Sequence, residues 1–100
     1  MEKSKAISVM SALAQPTRLA AFSLLARAEA REMTAGDLAE KTGTPANTMS
    51  AHLLILSQAG LVKSRRSGKN IFYEGKPEEV IRLIAFLTNI SGAGDPPTPE

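Results

Sequence analysis

Residues 44–62, TPANTMSAHLLILSQAGLV, decide how the chain is read. Thr44 offers a side-chain oxygen to first-turn amides, Pro45 suits the first helical position, and Gly60 stops a helix after Ala59. Met49, Leu53 and Leu56 recur every three or four residues and form one buried stripe. The opposite face carries Ala46, Asn47, Ser50 and Ala51, short and uncharged where a helix facing only solvent shows Glu and Lys. A face of this kind suits close approach to another surface.

Just upstream, Thr34 is an N-cap with Asp37 three residues on, a variant of the capping box that usually carries Glu or Gln. It opens a short helix over Ala35–Thr42 that buries Leu38 and Ala39 and stops at Gly43. Only Gly43 and Thr44 then separate this helix from the next, which forces a sharp turn and gives the helix-turn-helix pattern. Downstream, Leu61 to Arg66 reads as a strand, Ser67-Gly68-Lys69-Asn70 as a hairpin tip and Ile71 to Glu74 as the return strand. Alternation puts Arg65 and Arg66 on opposite hairpin faces, and Ile71 and Tyr73 on one face with Phe72 on the other. A lone hairpin is not stable in water, so it must pack on the helices.

The flanks complete the order. Lys3 to Ala14 places Ala6, Ile7, Met10 and Leu13 on one face of a first helix. Pro16 opens a second, with Leu19, Phe22, Leu25 and Ala26 at helical spacing. Arg27 to Met33 reads as helix end and loop. Pro77 starts a last helix whose Val80, Ile81, Leu83, Ile84 and Leu87 make an apolar surface too wide for one core contact. The expected fold is mainly α with a small β-hairpin, a winged helix-turn-helix of order α-α-α-α-β-β-α. It is expected to dimerise through its first and last helices, with Ile7, Met10, Leu13, Val80, Leu83, Ile84 and Leu87 at the interface. Residues 1–90 form the domain, and the Gly/Pro-rich tail 91–100 reads as disordered.

Composition bounds the function. One hundred residues make one domain, and a chain of that size buries only about 60–65% of its unfolded surface, so a subunit interface helps. Apolar residues at 43% and charged residues at 22% are ordinary for a globular protein. With no cysteine, disulfides, zinc-finger ligation and thiol chemistry are excluded. A single histidine and no Gly-rich phosphate loop leave no nucleophile–base pair or phosphate cradle, so no catalytic residue is assigned and an enzyme is not expected. No apolar run reaches the roughly 20 residues of a membrane span, and a cytoplasmic location is expected. The net charge is only +2. Between Leu61 and Lys76, however, five cations face one carboxylate, leaving +4 in the hairpin segment. A local basic strip beside a small-faced helix is the footprint of a nucleic-acid binder.

Four blocks in order, ALAQPTRLAAFSLL, AGDLAEKTG, NTMSAHLLILSQAGLV and a basic hairpin ending IFYEG, resemble the ArsR/SmtB family of bacterial winged-helix repressors over about residues 6–90. The resemblance implies a homodimer that binds an inverted repeat in promoter DNA and is usually released by an inducer. Family metal sensors carry a cysteine pair where this chain has Thr34 and Gly36. Others place His and carboxylate ligands on the last helix, which here offers only Glu78 and Glu79. An arsenic-responsive subgroup carries adjacent cysteines where this chain has Ile90 and Ser91. Soft-metal, arsenic and thiol redox sensing are therefore not expected, and neither a metal nor a cofactor is assigned. What remains is an unidentified small-molecule inducer, no inducer at all, or a weak carboxylate site for a hard cation.

The DNA-binding set read from the sequence is Pro45, Ala46, Asn47, Thr48, Ser50, Ala51, His52, Arg65, Arg66, Lys69 and Asn70. Asn47 can pair with adenine, Ala46 or Ala51 can touch a thymine methyl, and Thr48 and Ser50 suit phosphates or bases. With no Arg or Gln among the outward residues, direct readout is modest and A·T-leaning. His52 either touches phosphate or packs against the hairpin. Arg18 forms an internal ion pair or meets a phosphate. The competing function is a protein-interaction module that kept the fold without specific DNA readout.

Overall fold

The capping box at Thr34 forms as its residue types require. In the computed structural model, which describes residues 1–27 and 32–92, Thr34 Oγ1 accepts from the Asp37 amide and the Thr34 amide donates to Asp37 Oδ2, both at 3.1 Å. Replacing Thr34 by alanine removes half of this exchange and is expected to lower stability by about 1 kcal/mol, read as a shift of the urea midpoint. A shift indistinguishable from zero would show that the box does not stabilise this helix.

The element order is α1 (Lys3–Leu13), α2 (Pro16–Arg27), β1 (Met33–Thr34), α3 (Ala35–Thr42), α4 (Ala46–Gln58), β2 (Val62–Ser67), β3 (Asn70–Gly75) and α5 (Glu78–Ile90). The expected helices and hairpin are present, with one addition. Met33 and Thr34 form a short strand antiparallel to β3, making a three-stranded sheet of order β1-β3-β2. The hairpin's first strand is shifted by one residue from the expected bounds, and its second is longer by one residue at each end. Its strands run through Ser67 and Asn70, which pair with each other, so Gly68 and Lys69 alone make the turn.

Both predicted glycine stops hold. Gly43 and Gly60 sit at φ 68° and 79°, in the left-handed region that costs a non-glycine residue about 1–2 kcal/mol. After α4 the Leu61 amide reaches back to the Leu56 carbonyl and Gly60 to Ser57, both at 3.0 Å, the two-bond pattern that satisfies the last carbonyls of a helix. The start of α4 differs from expectation. The helix begins at Ala46 with Pro45 at the cap position and no side-chain cap bond. Thr42 Oγ1 gives its one proton to the Leu38 carbonyl at 2.7 Å, so Thr44 Oγ1, 3.0 Å away, donates to Thr42 instead of accepting from the first turn. The Thr44 hydroxyl is thus engaged with the preceding turn rather than with the amides it was expected to cap.

The core gathers Leu38, Met49, Leu53, Leu56 and Leu61, each fully buried and each worth about 1.5–3 kcal/mol of transfer free energy. Two faces read from the sequence are turned. α1 buries Ala6, Val9 and Ala12, small residues that let the helix come close, while Ile7 and Met10 stay exposed. α2 buries Ala21, Phe22 and Leu25, whereas Leu19 and Ala26 are exposed. α5 divides likewise: Leu83 is 7% exposed with Val80 packed beside it, and Ile81, Ile84 and Ile90 are each more than half exposed. Leu83 therefore belongs to the chain's own core, and Val80 and Leu13 are partly buried against it.

Past α5, the Ser91 amide bonds the Leu87 carbonyl and Ser91 Oγ bonds that of Thr88, so residue 91 finishes the helix rather than beginning a tail. Residues 93–100 of the expected tail and 28–31 of the expected loop lie outside the described residues. No helix among the described residues is long and apolar enough to cross a membrane.

Candidate nucleic-acid interface

The sharp turn after α3 leaves one face of α4 uncovered. Ala46, Asn47, Thr48, Ser50 and Ala51 are all exposed along it, and Pro45 precedes it in the open. Asn47 Oδ1 accepts from the Thr48 amide at 2.9 Å, so part of its hydrogen-bonding capacity serves the unpaired first turn and its amide nitrogen is left to donate.

The wing stands beside this face. Its register pairs Arg66 with Ile71 and Arg65 with Phe72, and directly opposed residues share a face. Ile71 and Tyr73 line a groove of about 370 Å³ together with Gly36 of α3, Ser50 of α4, and Lys69 and Asn70 of the turn. Arg66 thus shares the wing face that borders α4, with Lys69 at the tip. Both are exposed, and neither forms an ion pair among the described residues.

Arg65 lies on the other face and is engaged. Its Nε and Nη2 donate to Glu32 at 3.0 and 2.6 Å, and the guanidinium lies 5.3 Å from the Phe72 ring centroid. The hydrogen bond from Arg65 holds the Glu32 carboxyl below its ordinary value and raises Arg65 in return. A depressed carboxyl stabilises the fold fully above the ordinary carboxylate range and loses that contribution as pH falls through the depressed value. Glu32 was not among the residues read from the sequence. Alternation backwards from Thr34 would have placed it on the Phe72 face, but only once β1 was recognised.

His52 and Arg18 meet. Arg18 Nη1 lies 3.3 Å from His52 Nδ1, while Nε donates to the Ala12 carbonyl at 2.7 Å and Nη2 to that of Ser11 at 3.4 Å. A guanidinium only donates, so Nδ1 accepts and the imidazole proton sits on Nε2. Of the two expectations for Arg18, the ion pair is not formed among the described residues, and the guanidinium instead makes a cationic cap on the carbonyl end of α1, where the helix dipole favours positive charge. Among the described residues no three His, Asp or Glu side chains converge in a way that could hold a metal ion.

A turn of three residues between paired helices, an exposed small-residue helix face and a basic wing define a winged helix-turn-helix protein. A helix-turn-helix domain family matches residues 13–65. The chain is 39% identical over 93 residues to the HTH-type transcriptional regulator KmtR of Mycobacterium tuberculosis, covering 90% of this chain and 69% of that protein. It is 33% identical to the transcriptional repressor SdpR of Bacillus subtilis, over 88% of this chain and 94% of that one. The solved homodimeric winged helix-turn-helix DNA-binding domain of a possible ArsR-family regulator from Mycobacterium bovis superimposes with a TM-score of 0.69 at 34% identity, over 89% of this chain and 80% of that chain. The chain belongs to the ArsR/SmtB family of winged-helix transcriptional regulators.

Proposed function

We propose that the chain is a transcriptional repressor that binds an inverted-repeat operator as a homodimer, in the compartment that holds bacterial DNA. The observation that carries this reading is the shared orientation of the bare face of α4 and of Arg66 and Lys69 on the adjoining wing. A major groove about 12 Å wide admits one helix. The first turns of α4 then present Asn47 and Ser50 to base edges, and the wing follows the backbone. A relative that carries the name of repressor and a homodimeric neighbour support the sign and the stoichiometry. With no cysteine in the chain and no histidine on α5, the signal for release is a small molecule, the protein's own abundance or a hard cation held by carboxylates rather than a soft metal.

Duplexes selected from a randomised pool are expected to contain an A·T-leaning inverted repeat bound at nanomolar to micromolar protein. Changing Arg66 and Lys69 to alanine is expected to weaken binding on the order of ten- to a hundredfold at moderate salt, and to lower the salt slope by about one unit for each wing contact removed. The dimer should persist. Unchanged affinity and slope, or a selection that enriches nothing, defeats the proposal.

A further inference from the structure

Arg65 carries charge in the wing, yet its surroundings do not suit a DNA contact. The outer face of the sheet holds its own counter-charges. Glu74, opposite Lys63 in the register, is paired with Lys76 at 2.9 Å, and Arg65 is held bidentately by Glu32 at 3.0 and 2.6 Å. The face that borders α4 holds Arg66 without such a partner among the described residues. The guanidinium edge formed by Nε and Nη2, which would fork onto a phosphate, is already taken by a carboxylate.

The pair also spans the sheet. Glu32 precedes β1, Arg65 sits in β2, and β3 runs between them with Phe72 beneath the guanidinium. A two-stranded ribbon on its own twists freely. A clamp from the root of α3 to the edge strand removes that freedom at the residue next to Arg66.

We propose that Arg65 is a positioning residue: clamped by Glu32 and stacked on Phe72, it fixes the rotation of the wing against α3 and α4, so that Arg66 and Lys69 meet the DNA backbone already oriented. This rests on the DNA-binding reading above. Fixing a contact before binding lowers the ordering cost at the moment of binding. Lysine cannot substitute, because it neither forks nor stacks as a plane.

The test is a cycle of Glu32→Gln, Arg65→Gln and the double variant in the full chain, with binding to the selected duplex followed across a salt series. Each single variant is expected to weaken binding by about fivefold, the double variant no further, and the salt slope should stay at the wild-type value. Arg65→Lys should fall with the single variants. Two results overturn the proposal. One is a slope that drops by about one unit per wing in Arg65→Gln while Glu32→Gln binds as well as or better than wild type, which makes Arg65 a phosphate contact that Glu32 restrains. The other is unchanged affinity in both single variants. If wild type itself binds no duplex, the DNA reading has failed and the clamp is judged without DNA: faster amide exchange in β2 and β3 of Glu32→Gln supports it, and unchanged exchange overturns it.

Discussion

Glutamate at position 84 is expected to turn the protein into a folded monomer. Ile84 is 59% exposed on the single chain, so its side chain contributes little to the chain's own core and the helical signal should survive. Around it lie Ile81, Leu87 and Ile90, with Ile7 and Met10 exposed on α1, which packs against α5. A two-fold interface uses the same patch on both copies. With the exposed face of α1 and α5 proposed as that patch, each glutamate would enter the partner's apolar surface and the substitution would count twice. Burying an unpaired carboxylate there should raise the dimer dissociation constant by at least about a hundredfold. Sedimentation at micromolar protein should show one chain per particle.

Operator binding should fall with it. Two half-sites held by one dimer gain about 10²- to 10⁴-fold over independent binding, and a monomer forfeits that gain. The neighbouring Leu83 supplies the control. At 7% exposure it points into the chain's own core, so Leu83→Glu should unfold the protein rather than separate its copies. A dimer that persists in Ile84→Glu, or a Leu83→Glu protein that melts like wild type, refutes this division of α5 into an inner and an outer face.

That division marks where the sequence stops being legible. Helix stops at Gly43 and Gly60 and the Thr34–Asp37 exchange were readable because each depends on residues within a few positions of one another. The side of a helix that faces home depends on neighbours distant in sequence. In α1 the larger apolar residues Ile7 and Met10 suggested the buried stripe, yet the chain buries Ala6, Val9 and Ala12. Lys5 at the other end of that helix lies 4.0 Å from Glu79 of α5, a tertiary contact that no periodicity announces. β1 was missed because two residues are too few to show alternation. Glu32 was missed along with it.

The wing shows the same limit within one motif. Alternation separated Arg65 from Arg66, but did not say which of them borders α4. That followed only from the pairing of Arg66 with Ile71 and the packing of Tyr73 on the core. A basic hairpin is therefore not a uniform patch of charge. Arg66 has no ion-pair partner among the described residues, while Arg65 is tied to Glu32 on the opposite face.

Alanine at position 75 is expected to be strongly destabilising, even though it adds a single methyl group. A Cβ on Gly75 would stand 2.9 Å from the Ala26 amide nitrogen, 2.9 Å from the Leu25 carbonyl carbon and 3.1 Å from the Ala26 Cα. All three are backbone atoms of α2, so no rotamer change relieves the contact and the end of β3 must move off the helix. Glycine inside a strand often marks such an approach of one backbone to another. The strain falls where the wing is rooted: Gly75 pairs with Val62, and the next amide, Lys76, bonds the Leu61 carbonyl at 2.8 Å. A loss of about 3 kcal/mol is expected. For a domain of this size that is a fall in melting temperature on the order of 10–20 °C. Gly36→Ala tests whether the effect belongs to the site rather than to losing a glycine. A Cβ there would meet only Thr34 Oγ1, at an ordinary 3.7 Å, and alanine in a helix is favoured over glycine by about 0.5–1 kcal/mol. The two substitutions are identical on paper and should move the melting temperature in opposite directions. A Gly75→Ala protein that melts within a few degrees of wild type would mean that α2 yields without cost, and the root of the wing would then be softer than its packing implies.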